Sequence, residues 1–324
     1  MRRPTALAVT VSLLALSGCG LHASQHSAEG GSGPYPQTVQ NCGAEVTFET
    51  APERVVLLKS AAVPYLAALG VLDRVTARAG EYPRDYYDDA TWSALEDIPA
   101  LTGRTDASGH LLISKEVVID QEPDLVLGEV DNLSRDTLAA VGIPLIEEPA
   151  MCAAGLDDPG FDDVLDQLEA YGEVFDRADE AAAARAALQQ RIVALTAEPA
   201  AQRRTAAVLY PTVGGGVTYA YGTRSMAHPI LEAAGFENVF ADADERVFEV
   251  TAEELIGRDP DVLVLLHSGG DPAKVTAAIT ALPGARSIAA VREGRLMPLL
   301  FNYVEPPTPL ALDGLERIRE RFGS

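Results

Sequence analysis

The residues that could carry chemistry are mostly carboxylates, and two of them sit in a repeated phrase. Glu116 stands seven residues ahead of Pro123-Asp124-Leu125-Val126-Leu127, and Glu253 stands seven ahead of Pro260-Asp261-Val262-Leu263-Val264. Asp and Glu together number 48, so many acid–base pairs could be drawn and spacing singles out none. Gly214-Gly215-Gly216 lacks the Lys-Ser/Thr of a phosphate-binding loop and reads as a tight hairpin. No Gly-x-Ser-x-Gly elbow occurs, and adjacent His267-Ser268 does not make a triad. His110, His228 and His267 lack the spacing of a bare transition-metal site. An enzyme is therefore not expected, and no direct metal ligand is assigned.

The repeated phrase points to the elements around it. Each copy is a glutamate on a helix-like stretch, a Pro-Asp turn and a buried-looking strand; the proline stops the helix and the aspartate caps the turn. The copies lie 137 residues apart, too far for a solenoid repeat, and two similar lobes are the simplest reading. Strands are expected at Val55–Leu58, Val75–Ala79, Leu125–Leu127 and Pro144–Ile146, then at Thr205–Leu209, Val262–Leu266 and Leu296–Leu300. Helices are expected at Val63–Leu69, Pro229–Ala234 and Leu310–Phe322, with another ending at Val141. Alternating strand and helix gives an α/β fold of two Rossmann-like lobes with parallel sheets. Between them, Phe161, Val164, Leu165, Leu168 and Tyr171 recur at helical spacing. Ala178 to Glu198 then continues without Gly or Pro, as a single long rigid α-helix joining the lobes.

At 324 residues the chain has room for two cores, and its apolar content of 47% is ordinary. A formal charge of −23 argues against nucleic acid and anionic membrane as partners. Arg2 and Arg3, the apolar run Leu7 to Leu16 and then Leu16-Ser17-Gly18-Cys19 resemble a bacterial lipoprotein signal, with Cys19 as the lipid acceptor. Residues 1–18 are then a signal peptide. Residues 19–35 are a lipidated, Gly/Ser-rich tether that includes His22 and His26 as solvated residues. With Cys19 lipidated outside the cytoplasm, Cys42 and Cys152 remain to pair as a disulfide. The body divides into a first lobe at 36–160, a helical segment at 161–199 and a second lobe at 200–324.

These features together resemble the substrate-binding lipoproteins of ABC importers, in the class that binds ferric siderophores, haem or cobalamin. The matching stretches are TVQNCGAEVTFETAPERVVLL, the first Pro-Asp phrase with VGIPLI, ILEAAGFENVF, VTAEELIGRDPDVLVL and AAVREGRLMPL. The resemblance implies a monomeric protein on the outer face of the cytoplasmic membrane, with no cofactor, that docks on a permease through one glutamate per lobe. Glu116 and Glu253 match those positions, although Glu254 beside Glu253 leaves two candidates in the second lobe.

The resemblance also implies a ligand cleft between the lobes, lined by loops at strand C-termini. The candidate contacts are Lys59, Tyr82, Arg84 and Glu129 in the first lobe. In the second lobe they are Tyr210, Tyr221, Arg224, His267 and Tyr303. Each tyrosine is equally a half-buried core residue or an aromatic face with one hydrogen bond for a ligand. The expected ligand is a ferric siderophore. Haem is the alternative, with Tyr82 and either Met226 or His267 on its iron. Cobalamin comes next, although the only tryptophan, Trp92, is expected outside the cleft.

Overall fold

The computed structural model describes residues 35–106, 110–197 and 204–323. The signal, Cys19 and the tether lie outside the described residues. An antiparallel hairpin, β1 (Gln37–Asn41) and β2 (Ala44–Phe48), opens the first lobe. Its corner is Cys42-Gly43, both at positive φ (51° and 74°), the geometry that two-residue hairpin turns require.

Five strands follow: β3 (Val55–Leu57), β4 (Val75–Ala79), β5 (Ala100–Thr102), β6 (Leu125–Leu127) and β7 (Leu145–Ile146). They form one wholly parallel sheet in the order β5-β4-β3-β6-β7. Strands β3, β6 and β7 are buried end to end, as expected of a parallel sheet covered on both faces. The helices of this lobe are α1 (Val63–Ala68), α2 (Asp89–Asp97), α3 (Lys115–Ile119) and α4 (Arg135–Ala139).

The expected long helix from Ala178 is present, preceded by a second helix over the Phe161–Tyr171 stretch. Two helices, α5 (Phe161–Val174) and α6 (Ala178–Thr196), are separated by a turn in which Asp176 adopts φ 53°. Gly172 allows the two to close on each other, because a Cβ there would lie 2.5 Å from that of Ala181. Helix α6 has 19 residues, about 28 Å of rise. Its alanines, leucines and glutamines favour helix, so it runs unbroken.

The second lobe holds β8 (Arg204–Pro211), β9 (Thr218–Tyr221), β10 (Phe236–Asn238), β11 (Val247–Val250), β12 (Val262–His267) and β13 (Leu296–Leu300). Its helices are α7 (Ala227–Ala233), α8 (Ala252–Arg258), α9 (Pro272–Thr280), α10 (Ala289–Arg292) and α11 (Leu310–Phe322). The sheet order is β11-β9-β8-β12-β13, with β10 beside the start of β8. This sheet is mixed rather than parallel throughout: β9 runs antiparallel to β8, and β11 to β9. The cause is the glycine run, since Gly214, Gly215 and Gly216 all take positive φ and Thr212 N–H closes the turn on Val217 O.

The repeated Pro-Asp phrase has one structural role in both lobes. Asp124 donates its N–H to Arg54 O (3.0 Å) and accepts the Arg54 N–H on Oδ1 (2.8 Å). Asp261 does the same to Thr205, at 3.1 and 3.0 Å. Each aspartate thus ties the start of its own strand to the start of the first strand of its main sheet, β3 or β8. Outside these clamps, one face of each sheet packs its own core, around Val56, Val126 and Leu145 or around Leu209, Leu263 and Leu265. The opposite faces merge into one core that runs through α5 and α11. Each fully buried Leu or Val there contributes ~1.5–3 kcal/mol.

Candidate functional site

The carboxyl ends of the two sheets face each other, which is where open α/β folds place ligands. Loops after β3 and β4 meet loops after β12 and β13. Asn302 spans the seam twice: its N–H donates to Tyr86 Oη (2.8 Å) and its amide to Ser60 Oγ (3.0 Å). Tyr303 donates its hydroxyl to Asp85 O and receives Arg317 at 3.0 Å, and its ring meets Tyr86 edge-on at 5.1 Å. Tyr65 reaches Pro307 O at 3.1 Å. Gly269 lies opposite Glu81, whose carboxylate would be 2.8 Å from a Cβ at that position.

Six of the candidate contacts sit on these facing ends. Lys59 lies across Gly128 and binds Glu147 Oε2 at 2.5 Å. The same oxygen accepts the Glu129 N–H (2.8 Å), and Glu129 is half-buried in this turn. Tyr210 pairs its hydroxyl with Ser268 (3.0 Å) and its ring with Phe301. His267 is buried, with Nδ1 held on Gly269 O at 3.0 Å. Tyr303 forms part of the floor. Tyr82 is buried, donates to Leu57 O (3.3 Å) and carries Arg78 over its ring, and burial pushes its phenol well up.

The other three are spent on structure. Arg84 turns onto Trp92, Tyr87 O and Asp89. Tyr221 is buried on β9, with its phenol pushed up by burial. Arg224 bridges the lobes by binding Leu156 O (3.2 Å), Ala154 O (3.3 Å) and Asp157. Met226 is fully buried at the start of α7. Residues that sequence reasoning did not single out also join the seam: Tyr86, Tyr87, Phe301, Glu147 and Glu148. Tyr87 stacks on Trp92 at 6.4 Å, so the lone tryptophan lies beside this aromatic wall. The Tyr86-Tyr87 doublet in the loop after β4 was the available signal.

Glu116 and Glu253 are both exposed and occupy the same place, the second residue of a helix capped by Ser114 or Thr251. Thr251 Oγ1 accepts from Glu254 N–H as Ser114 Oγ accepts from Val117 N–H. Glu254 is thereby matched to Val117, and its carboxylate turns to Arg258 (3.4 Å), so Glu253 is the counterpart of Glu116. Cys42 and Cys152 form the expected disulfide, with Cα atoms 5.2 Å apart. Among the described residues, Asp106, His110 and Asp131 bring ligand-type atoms within 4.8 Å of one another; all three are exposed, and the His110–Asp131 hydrogen bond (3.0 Å) suffices to hold them.

Comparison with known proteins places this geometry. A crystal structure described as an ABC-type Fe3+-hydroxamate transport system from Saccharomonospora viridis is 56% identical, with TM-score 0.86, over 90% of this chain and all of that one. The periplasmic haem binding protein HutB of Vibrio cholerae shares the fold at TM-score 0.61 and 19% identity, over 82% of this chain and 97% of its own. A cobalamin-binding protein of Halobacterium salinarum is 26% identical over 98% of this chain and 82% of its own length. The model of the periplasmic binding protein family matches residues 55–301, and the chain belongs to that family, as a substrate-binding protein of the ABC importer class.

Proposed function

We propose that this protein captures a ferric hydroxamate siderophore in the interlobe cleft and delivers it to an ABC permease for iron uptake. The observation that carries this reading is the 56% identity, over 90% of this chain, with the Fe3+-hydroxamate transport protein. The cleft chemistry supports it. Tyr210, Phe301 and the Tyr86–Tyr87 wall offer aromatic faces, with Lys59, Ser268 and Asn302 as polar partners for the oxygen shell of a chelate. Cobalamin is the second reading, favoured by the 26% identical relative. Haem through Tyr82 has less support, because a buried phenol already bonded to Leu57 O is a poor tyrosinate.

In this reading lipidated Cys19 holds the protein as a monomer on the outer face of the cytoplasmic membrane. Glu116 and Glu253 meet the permease, and the cognate ATPase drives import. Quenching of Trp92 fluorescence tests the ligand directly. The titrants are a ferric trihydroxamate and its iron-free form, a ferric triscatecholate, haem and cobalamin. Saturable quenching by the ferric trihydroxamate alone is expected; tight binding of cobalamin alone would replace the ligand and leave the fold and transport role standing.

A further inference from the structure

We propose that Glu148 is a proton-operated latch between the lobes: its neutral carboxyl permits the seam to close over it, and its ionised form favours the opened seam. The proposal rests on the reading of an interlobe ligand cleft and adds to it that the lobes part; it concerns a group outside that cleft's contact residues.

Glu148 follows β7 and is 4% exposed. It lines a narrow gap with Pro149, Ala150, Leu156 and Asp163, and the opposite wall of that gap is Pro306 and Pro307 of the second lobe. One carboxyl oxygen accepts the Tyr171 hydroxyl at 2.9 Å. The other, Oε2, is buried and meets no donor among the described residues. Two successive prolines bring carbonyls but no N–H to the wall facing it. That wall can accept a proton from a neutral carboxyl and has nothing to give an ionised one. A buried, unpaired carboxylate is costly, so charge on Glu148 is relieved by water, and water reaches it when the seam parts.

Titratable groups from several elements face Glu148. From α5 come Tyr171, which favours the charged form, and Asp163, whose carboxylate is held by Gly160 N–H. From α1 comes Tyr65, bonded across the seam to Pro307 O. Glu147, its sequence neighbour, repels charge on Glu148, and Lys59 offsets this in part. On the second lobe, Glu305 precedes the prolines but is turned to Ser225, Met226 and Arg246. Burial dominates, and the carboxyl is pushed up to about 8. The sign follows: the closed seam holds a proton that the open seam releases. Opening therefore becomes easier as pH rises from the ordinary carboxylate range, by up to about tenfold per pH unit, and levels off above pH 8.

The test is an interlobe distance measured by paired spin labels on the ligand-free protein from pH 5.5 to 9.5. Labels go on Val141→Cys in the first lobe and Val213→Cys in the second, both well exposed. The wild type should shift toward the longer distance with rising pH. Glu148→Gln should stay in the short-distance state throughout. Tyr171→Phe, which removes a bond to the charged form in the closed seam, should make opening easier and move the distance change to lower pH, and it serves if Glu148→Gln does not fold. A pH-independent wild type, or an unchanged transition in Glu148→Gln or Tyr171→Phe, overturns the latch. Because no ligand is present, failure of every siderophore to bind would sink the ligand reading and leave this result untouched.

Discussion

Lys59 Nζ lies 2.5 Å from Glu147 Oε2, so the cation at the carboxyl end of β3 is already neutralised before a ligand arrives. Glu147 is fixed in turn by Asn41, which donates to its carbonyl (2.7 Å) and accepts its N–H (2.9 Å). The nearby arginines are likewise engaged: Arg78 with Leu95 O, Arg84 with Asp89 and Arg224 with Asp157. Glu81 and Glu129 have no ion pair among the described residues, which leaves the cleft mouth with uncompensated negative charge.

A cleft of this polarity should prefer a neutral chelate, or one bearing an ammonium, over a carboxylate-bearing one. Changing Glu81→Gln together with Glu129→Gln is expected to weaken binding of an ammonium-bearing ferric trihydroxamate on the order of fivefold per charge removed, the water-screened value for contact at about 4 Å. Binding of a carboxylate-bearing chelate should improve. Equal shifts for both chelates in parallel titrations would contradict the charge argument.

The matched positions of Glu116 and Glu253 give a second expectation. Neither side chain contributes to a core or to the cleft seam, so Glu116→Arg with Glu253→Arg should leave ligand affinity and melting temperature unchanged. On the proposed docking, uptake of radiolabelled iron by cells carrying the double variant should stop, because both docking charges are reversed. Loss of affinity in the purified double variant would remove these residues from a docking role.

The disulfide ties the hairpin to the end of the first lobe beside the Asn41–Glu147 contacts. Its 110-residue separation restricts the unfolded chain strongly, and Cys42→Ser with Cys152→Ser should lose about 4 kcal/mol in urea unfolding. A loss near zero would mean that the unfolded chain, or β1 packing, already supplies the constraint.

Much of this fold could be read from local pattern. Val75–Ala79, Leu125–Leu127, Leu296–Leu300 and Leu310–Phe322 begin and end where apolar runs, Gly and Pro predict. What escaped is non-local or depends on period. Tyr221 is expected in a cleft loop, yet it ends a strand in which Thr218 and Ala220 are buried and Tyr219 between them is exposed. The seam contacts join residues such as Tyr86 and Asn302, 216 apart in sequence, and no local signal pairs them.

Glu305 provides a pH-dependent stability test away from the latch. It is fully buried, accepts from Ser225 Oγ (2.5 Å), Met226 N–H (2.7 Å) and Arg246 (3.1 Å), and burial raises its pKa while Arg246 opposes the rise. A raised carboxyl contributes most to stability at low pH and loses that contribution as pH climbs past the usual carboxylate range. Removing the guanidinium raises it further. Arg246→Ala should therefore be destabilised by about 3 kcal/mol at pH 8 and by clearly less at pH 5 in urea unfolding. An equal deficit at both pH values would assign the loss to packing alone.

Gly314 tests how the cleft floor is built. It lies inside α11, where alanine is ordinarily better by ~1 kcal/mol. Here a Cβ would fall 1.7 Å from Tyr303 O and 2.7 Å from the carbonyl carbon, an overlap with backbone that no side-chain rotation relieves. Either α11 or the Phe301–Tyr303 turn must move, and that turn holds both Asn302 and Tyr303 against the first lobe. Gly314→Ala is accordingly expected to lose about 2 kcal/mol or more in urea unfolding, as overpacked cores do, and to weaken ligand binding with it. A gain in stability would show that α11 packs more loosely on the floor than this contact requires.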